Sequence, residues 1–422
     1  MIKGDFMPKL RNGDLGYIIS ILVMIILPLH NEYLPPLMIM LGLCWIFEHY
    51  SGFEEMVRTR SKHLTLFFSF LIFYLWQITS LLYSRDQSMG WSNVFGRLSI
   101  FVFPLIFFNP VEKIRANVFK LLKIFAISTS VYTLSCFGYA LFRSLSFKTG
   151  IWVYNPHPTD SEWLNYFYGP EFTYSIHPTY LAMFVLISVF ISFESWYNPS
   201  EMSKFSYLWI IMGVFLLASI YFISSRSAIL ASIIMIIVYS VNKIITDSNS
   251  RLFWIVSVLI MLISLPLIRN NDRVNITLSR FSREKLNLNR QDERIIVWES
   301  AWKLIKRNPL LGVGIGDVRV DLTQEYLRAG EDKLAKERLN AHNQFLEVLL
   351  EGGVIGFSIF LSVLGFMIFI AISEKNLLYG LFILMMLFFF MFETILVRFA
   401  GVAFFSLFSF ILLNLTSKSH IR

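Results

Sequence analysis

His342 stands in Asn340-Ala-His-Asn-Gln344, where a long charged stretch gives way to an apolar one. A free imidazole titrates near ~6.5, so it can accept a proton from a hydroxyl at neutral pH. Arg226, in Ser224-Ser-Arg-Ser-Ala228, and Arg294, in Glu293-Arg-Ile-Ile-Val297, place two guanidiniums at similar polar–apolar boundaries. The planar fork of a guanidinium donates paired hydrogen bonds to phosphate oxygens. A general base and guanidinium forks of this kind suit proton transfer and the holding of phosphate oxygens. Each residue also has a plainer reading. Arg226 could be an arginine snorkelling from a helix end, Arg294 one solvated charge among many, and His342 a capping or interfacial histidine.

Three more residues could line such a site. His177, in Ile176-His-Pro-Thr-Tyr180, opens an apolar run and suits a structural or substrate-contact role better than catalysis. Glu393 falls inside the apolar run Leu377–Val397, a few residues before Arg398. An acid within a membrane is costly and faces a cavity or a partner, so a site-lining or ion-paired role follows. His157 sits in a Pro-rich loop and is read as solvated.

The elements that must position these residues are membrane helices. Of 422 residues 55% are hydrophobic and only 16% charged, against about 25% charged in soluble domains. The formal net charge of +8 does not point to nucleic acid, because Lys and Arg gather at the ends of apolar runs, as orientation signals do. Cys44 and Cys136 both fall in apolar runs, which argues against a disulfide framework or a metal site. The first apolar run lacks a small-residue cleavage site and is read as a first span rather than a signal peptide.

Apolar stretches without period-2 alternation place spans at Leu15–Leu29, Leu34–Phe47, Leu64–Tyr83, Val94–Phe108, Val118–Phe142, Thr179–Phe193, Tyr207–Phe222 and Ala228–Ile245. Leu252–Ile268, Val354–Ile372, Leu377–Val397 and Phe399–Leu415 follow. The expected fold is thus an all-α polytopic membrane protein of about 12 transmembrane helices, organised as one membrane-embedded domain over 1–422. A cytoplasmic N-terminus leaves only Arg85, Arg97, Arg143, Lys148, Arg226 and Arg398 among the short-loop cations on the opposite side. Both termini are therefore expected in the cytoplasm.

Two loops are long enough to be functional, and both are expected outside. The first, 143–176, is rich in aromatics, Pro and Gly. The second, 269–343, is the main charged region and precedes the tenth span. Within it Ile295, Trp298, Trp302 and Ile305 share a helical face, with the tryptophans expected to pin the helix to the membrane surface. Asn308-Pro309 ends that helix, a turn Gly312-Val-Gly-Ile-Gly316 follows, and charged helix continues to about Leu339. The reading is a small, partly helical cap over the outer membrane surface. The glycine turn lacks a following Lys-Ser or Lys-Thr and a βαβ context, so no nucleotide site is expected. Nor is there an Asp-rich sugar-nucleotide motif, zinc-ligand spacing or a Gly-x-Ser-x-Gly elbow.

These pieces, in this order, resemble the O-antigen ligase/O-antigen polymerase superfamily of bacterial inner-membrane glycan transferases. The resemblance rests on Ser225-Arg226-Ser227-Ala228 read as ending one span, Arg294 with Trp298 and Ala301, Asn308-Pro309, and Gly312-x-Gly314-x-Gly316. It continues through His342-Asn343-x-x-Leu346 and Glu351-Gly-Gly-Val-Ile-Gly356, covering roughly Tyr207 to Phe360. It implies a metal-independent transferase without cofactor, using a glycan donor linked to undecaprenyl pyrophosphate and a lipid A-core or other glycan acceptor. It further implies that Arg226 and Arg294 hold the pyrophosphate and that His342 assists the attacking hydroxyl, at a site facing the periplasm. With no nucleophilic carboxylate pair in evidence, direct displacement with inversion is the simpler route.

A ligase and a polymerase need the same donor site and base, so these motifs do not separate them. An oligosaccharyltransferase acting on protein hydroxyls usually carries extra soluble sequence, which the short stretch after Leu415 does not favour. A transporter or flippase for lipid-linked glycans predicts charges at the mid-plane of several spans and often pseudo-repeats; here the charges gather in one loop.

Overall fold

A computed structural model describes residues 14–49, 61–148, 150–157, 164–197, 205–246 and 293–415, with isolated positions at 252, 255, 256 and 259. The chain divides into two compact units. The first comprises Met1–Cys44, Glu112–Arg280 and Leu415–Arg422, the second Trp45–Val111 and Phe281–Asn414. Six of its helices are long and apolar enough to cross a membrane, among the described residues, and several shorter apolar helices accompany them. The ninth expected span, Leu252–Ile268, lies almost wholly outside the described residues, as does the start of the large loop, 269–292.

In the first unit α1 (Asp14–Leu29) packs along α7 (Val118–Ser144), where the Ser128 hydroxyl donates to the Ile25 carbonyl at 2.8 Å. Here α2 (Leu34–His49) opens and α6 (Glu112–Ala116) precedes α7. α8 (Pro178–Tyr197) is buried along nearly its whole length, and α9 (Tyr207–Ile223) and α10 (Arg226–Thr246) follow. Serines in α8, such as Ser192 and Ser195, return their hydroxyls to carbonyls four residues back, which satisfies them inside an apolar helix. The first long loop is not irregular throughout, and the fold is not purely helical. β1 (Leu145–Lys148) pairs antiparallel with β2 (Ile151–Tyr154), across a turn whose Gly150 holds φ +84°. The run Ile-Trp-Val-Tyr favours strand, a local signal that reading for helical spans passes over. Cys44 and Cys136 are free and buried.

In the second unit α3 (Ser61–Ser80) runs beside α4 (Gln87–Gly96) and α5 (Ser99–Phe107). Asp86 caps α4 by accepting from the Met89 amide at 2.9 Å. The two helices form one apolar run from Gln87 to Phe107, longer than the expected Val94–Phe108. Arg97 therefore lies within it and is only 3% exposed, so its assignment to a short outer loop is corrected. The next helices form the cap: α11 (Glu293–Arg307), α12 (Val318–Arg328) and α13 (Asp332–Glu337). Val297, Ala301 and Leu304 pack with Leu322, Tyr326 and Leu334 into a separate small core. The apolar face expected on α11 is not the stripe that packs into this core. Ile305 is buried, but Ile295 and Trp302 are exposed and the buried stripe is centred on Val297 and Ala301.

α14 (Gln344–Ser373), α15 (Leu377–Phe392) and α16 (Phe399–Ile411) complete the unit. Their contact with α3 is aromatic: Phe70 stacks on Phe405 at 5.4 Å and meets the edge of Phe410 at 5.2 Å. α14 breaks at Gly353, whose φ of 61° and ψ of −162° only glycine adopts readily. Backbone groups around the break find partners in the cap. The Val354 amide donates to Pro309 and the Val313 amide to Leu350, at 2.8 and 2.7 Å. The Trp76 indole donates to the Gly352 carbonyl at 3.2 Å.

Candidate active site

The local sequence around His342 folds as a series of caps. Asn343 is extended and closes the start of α14, its side chain accepting from the amides of Phe345 and Leu346. One residue earlier, His342 adopts φ 44°, a left-handed conformation that costs a side-chain-bearing residue roughly 1–2 kcal/mol. Three contacts hold it there. The His342 amide donates to the Asn340 side chain at 3.1 Å, and the Ala341 amide to Glu347 at 3.3 Å. The Ala341 carbonyl accepts the Trp298 indole N–H at 3.0 Å. Trp298 thus fixes α11 to the histidine turn, a different role from the membrane anchoring expected for it.

Glu393 comes to the same place from the end of α15. It is not inside a helix, as the apolar run implied. It caps α15 in extended conformation, in the break before a short 3-10 turn at Ile395–Val397. Two bonds from the start of α14 hold this break: Asn343 donates to the Met391 carbonyl at 3.1 Å, and Gln344 accepts the Leu396 amide at 2.7 Å.

The Glu393 carboxylate lies between two cations. Its Oε2 is 3.2 Å from His342 Nδ1 and its Oε1 3.6 Å from an Arg294 Nη2. A carboxylate only accepts, so this contact places the ring proton on Nδ1 and leaves the Nε2 lone pair free to take another. Arg294, at the start of α11, opposes the helix dipole; Glu393 now supplies its counter-charge, while Glu293 pairs with Lys333 at 2.7 Å. The three side chains are 30%, 24% and 37% exposed for His342, Glu393 and Arg294, enough for a ligand to reach them. A base oriented by a carboxylate, with a guanidinium beside it, can deprotonate a hydroxyl next to an anionic group.

Arg398 is exposed and opens α16, its carbonyl accepting from Gly401 and Val402. Among the described residues Glu393 pairs with Arg294 and His342 rather than with Arg398. Arg226 and His177 belong to the first unit. Arg226 is the first residue of α10 rather than the end of the preceding span. α9 closes one residue beyond Ile223 on Ser224 at φ 54°, and Ser225 accepts from the Ala228 amide at 3.4 Å, so two serines make the tight turn that fixes the arginine's backbone. His177 caps α8: its Nδ1 accepts from the Thr179 amide at 3.4 Å and its carbonyl from Tyr180.

The glycine turn is a packing device. A Cβ on Gly312, Gly314 or Gly316 would sit within 2.3 Å of Leu350 O, Ser84 Oγ or Asp86 O respectively. Beneath it, Arg97 and Glu351 form a buried bidentate pair, with Nη1 2.6 Å from Oε2. Tyr83 donates to the Leu311 carbonyl at 2.7 Å, and burial, then the charge of Glu351, push its hydroxyl up to about 12. Sequence reasoning missed this brace. Arg97 and Glu351 lie 254 positions apart, and only an acid at the opening of an apolar helix hinted that a partner was needed.

Residues 211–361 match the family model described as O-antigen ligase. That match supports the O-antigen ligase/polymerase superfamily for this stretch, which includes Arg226, Arg294 and His342. No curated protein matches the chain.

Proposed function

We propose, from the O-antigen ligase domain at residues 211–361, that this protein is a membrane glycosyltransferase. It moves a glycan from an undecaprenyl-pyrophosphate carrier to an acceptor hydroxyl, as O-antigen ligase acting on lipid A-core. The observation that carries the reading is the contact of His342 with Glu393 beside Arg294, at the head of the helix that ends the matched stretch.

In this mechanism the acceptor hydroxyl gives its proton to His342 Nε2 while its oxygen bonds to the anomeric carbon. The bond from that carbon to the pyrophosphate oxygen breaks, and its electron pair leaves with the lipid pyrophosphate. Negative charge grows on the leaving group as that bond lengthens. Guanidinium forks stabilise such charge best where water is excluded, the role proposed for Arg294 and for Arg226. Glu393 holds the imidazole in the receptive tautomer and stabilises the imidazolium that forms, as the acid of a hydrolase triad does. The step needs neither nucleotide nor metal, and inversion follows from single displacement.

Deletion of the gene, followed by analysis of surface polysaccharide, tests the reading. Loss of all polymer from lipid A-core, with lipid-linked polymer accumulating, supports a ligase. A single repeat left on the core would assign polymerase activity instead. Unchanged polysaccharide would remove the reading.

A further inference from the structure

The β1–β2 hairpin has one face for which the glycan-transfer reading has no use. In its register Leu145 opposes Tyr154 and Phe147 opposes Trp152. Side chains alternate across a strand, so these four share one face, while Ser146 opposite Val153 marks the other. The four are 39%, 62%, 68% and 56% exposed for Leu145, Phe147, Trp152 and Tyr154. Phe147 and Trp152 meet edge to face at 5.3 Å. A two-stranded hairpin is marginal in water unless such a face is covered.

The surface from which the hairpin grows indicates what covers it. β1 continues α7 without a break, and the Asn155 amide closes the hairpin base on the Ser144 carbonyl at 2.7 Å. α7 is long and apolar enough to cross a membrane, and its outward positions Leu134, Leu141 and Phe142 are exposed apolar residues leading to the hairpin. Its 27 residues span about 40 Å at 1.5 Å each, against a hydrocarbon core of about 30 Å. The end of α7 therefore emerges at headgroup depth, where Trp and Tyr concentrate. The cation at that end, Arg143, pairs with Glu171 at 2.8 Å and lies 4.0 Å from the Tyr166 ring. The polar side of the loop is thus already occupied.

We propose that this aromatic face lies in the headgroup–acyl boundary of the bilayer as an interfacial anchor for α7. The start of the loop 143–176 is then a lipid contact. Such an aromatic platform fits the boundary, where amphipathic rings sit at headgroup level, and the exposed Ile151 and Val153 on the other face add to the apolar surface that water would otherwise meet. The hairpin thereby sets the depth of a helix longer than the hydrocarbon it crosses.

The test uses the full chain carrying Trp152→Cys labelled with bimane, in phosphatidylethanolamine–phosphatidylglycerol vesicles. The unsubstituted chain, with its buried Cys44 and Cys136, serves as the labelling blank. Lipids bearing a nitroxide near the headgroup should quench the probe about twofold or more over lipids labelled near the chain end, as expected at the interface. Aqueous iodide should quench it weakly. Phe147→Cys reports on the same face should the first variant fail to insert. Iodide quenching equal to that of free dye would overturn the proposal, as would stronger quenching from the chain end. Protection from both quenchers would mean that protein covers the face, which also overturns it.

Discussion

The proposed mechanism gives separable jobs to the two side chains of the Glu393–His342 contact. If His342 is the base and Glu393 orients it, Glu393→Gln should lower kcat by roughly 10²-fold or more while the KM for donor changes little. An amide can still meet the ring but no longer enforces the tautomer or stabilises the imidazolium. Steady-state turnover on lipid-linked donor measures this; a variant with unchanged kcat would detach Glu393 from the chemistry. Arg226→Lys and Arg294→Lys should each lose most activity, because a point charge cannot replace the planar fork on pyrophosphate. Full retention by Arg226→Lys would return that residue to the role of a snorkelling charge. Residue types at boundaries were legible in the sequence: His342, Arg226 and Arg294 stood out by chemistry alone. Glu393 was legible as an acid out of place, but its partners were not, because His342 and Glu393 are 51 positions apart and meet only where α15 breaks.

At the level of elements, two interruptions of helix shape the second unit. Gly353 allows the helix opened by His342 and Asn343 to break before it runs on to Ser373. A methyl group there would lie 2.2 Å from the Leu310 carbonyl oxygen, in a backbone region closed to alanine. Gly353→Ala should therefore destabilise by a few kcal/mol from strain alone and lower activity, read by thermal unfolding in detergent and by turnover. Native stability in that variant would mean that the break is not required. The cap carries its own pH dependence. Burial alone would raise the Glu325 carboxyl, but Arg307 and Arg328 beside it win and hold it below the usual carboxylate range. A depressed carboxylate contributes stability that is present above its unfolded pKa and lost as pH falls through the folded one. Protection factors in 293–343, taken relative to the intrinsic exchange rate at each pH, should thus fall on acidification below about pH 4, near the model-peptide range for Glu, and Glu325→Gln should abolish that dependence. Hydropathy revealed most of these helices, since composition alone marks an apolar span. It could not reveal the buried face of α11, because packing against Leu322 and Tyr326, distant in sequence, decides which stripe turns inward.

For the whole molecule, the described helices agree with a multi-pass membrane protein, with six helices of spanning length and composition among the described residues. The expected orientation rests on positive charge in short loops, and Arg97 shows the limit of that signal. A cation at the edge of an apolar run can be an internal partner, here of Glu351, rather than an orientation signal. Leaving either member alone inside the unit should cost about 3–5 kcal/mol, so a brace of this kind is expected to matter more for folding than for turnover.

The account rests most directly on His342 as the base. Release of undecaprenyl pyrophosphate from a lipid-linked glycan donor, measured with purified protein and lipid A-core acceptor, compares wild type with His342→Ala. The account predicts that the variant is expressed, inserts and unfolds like wild type, while its release rate falls by roughly 10²–10⁴-fold, the usual contribution of a general base. A variant that releases the carrier at the wild-type rate would contradict it.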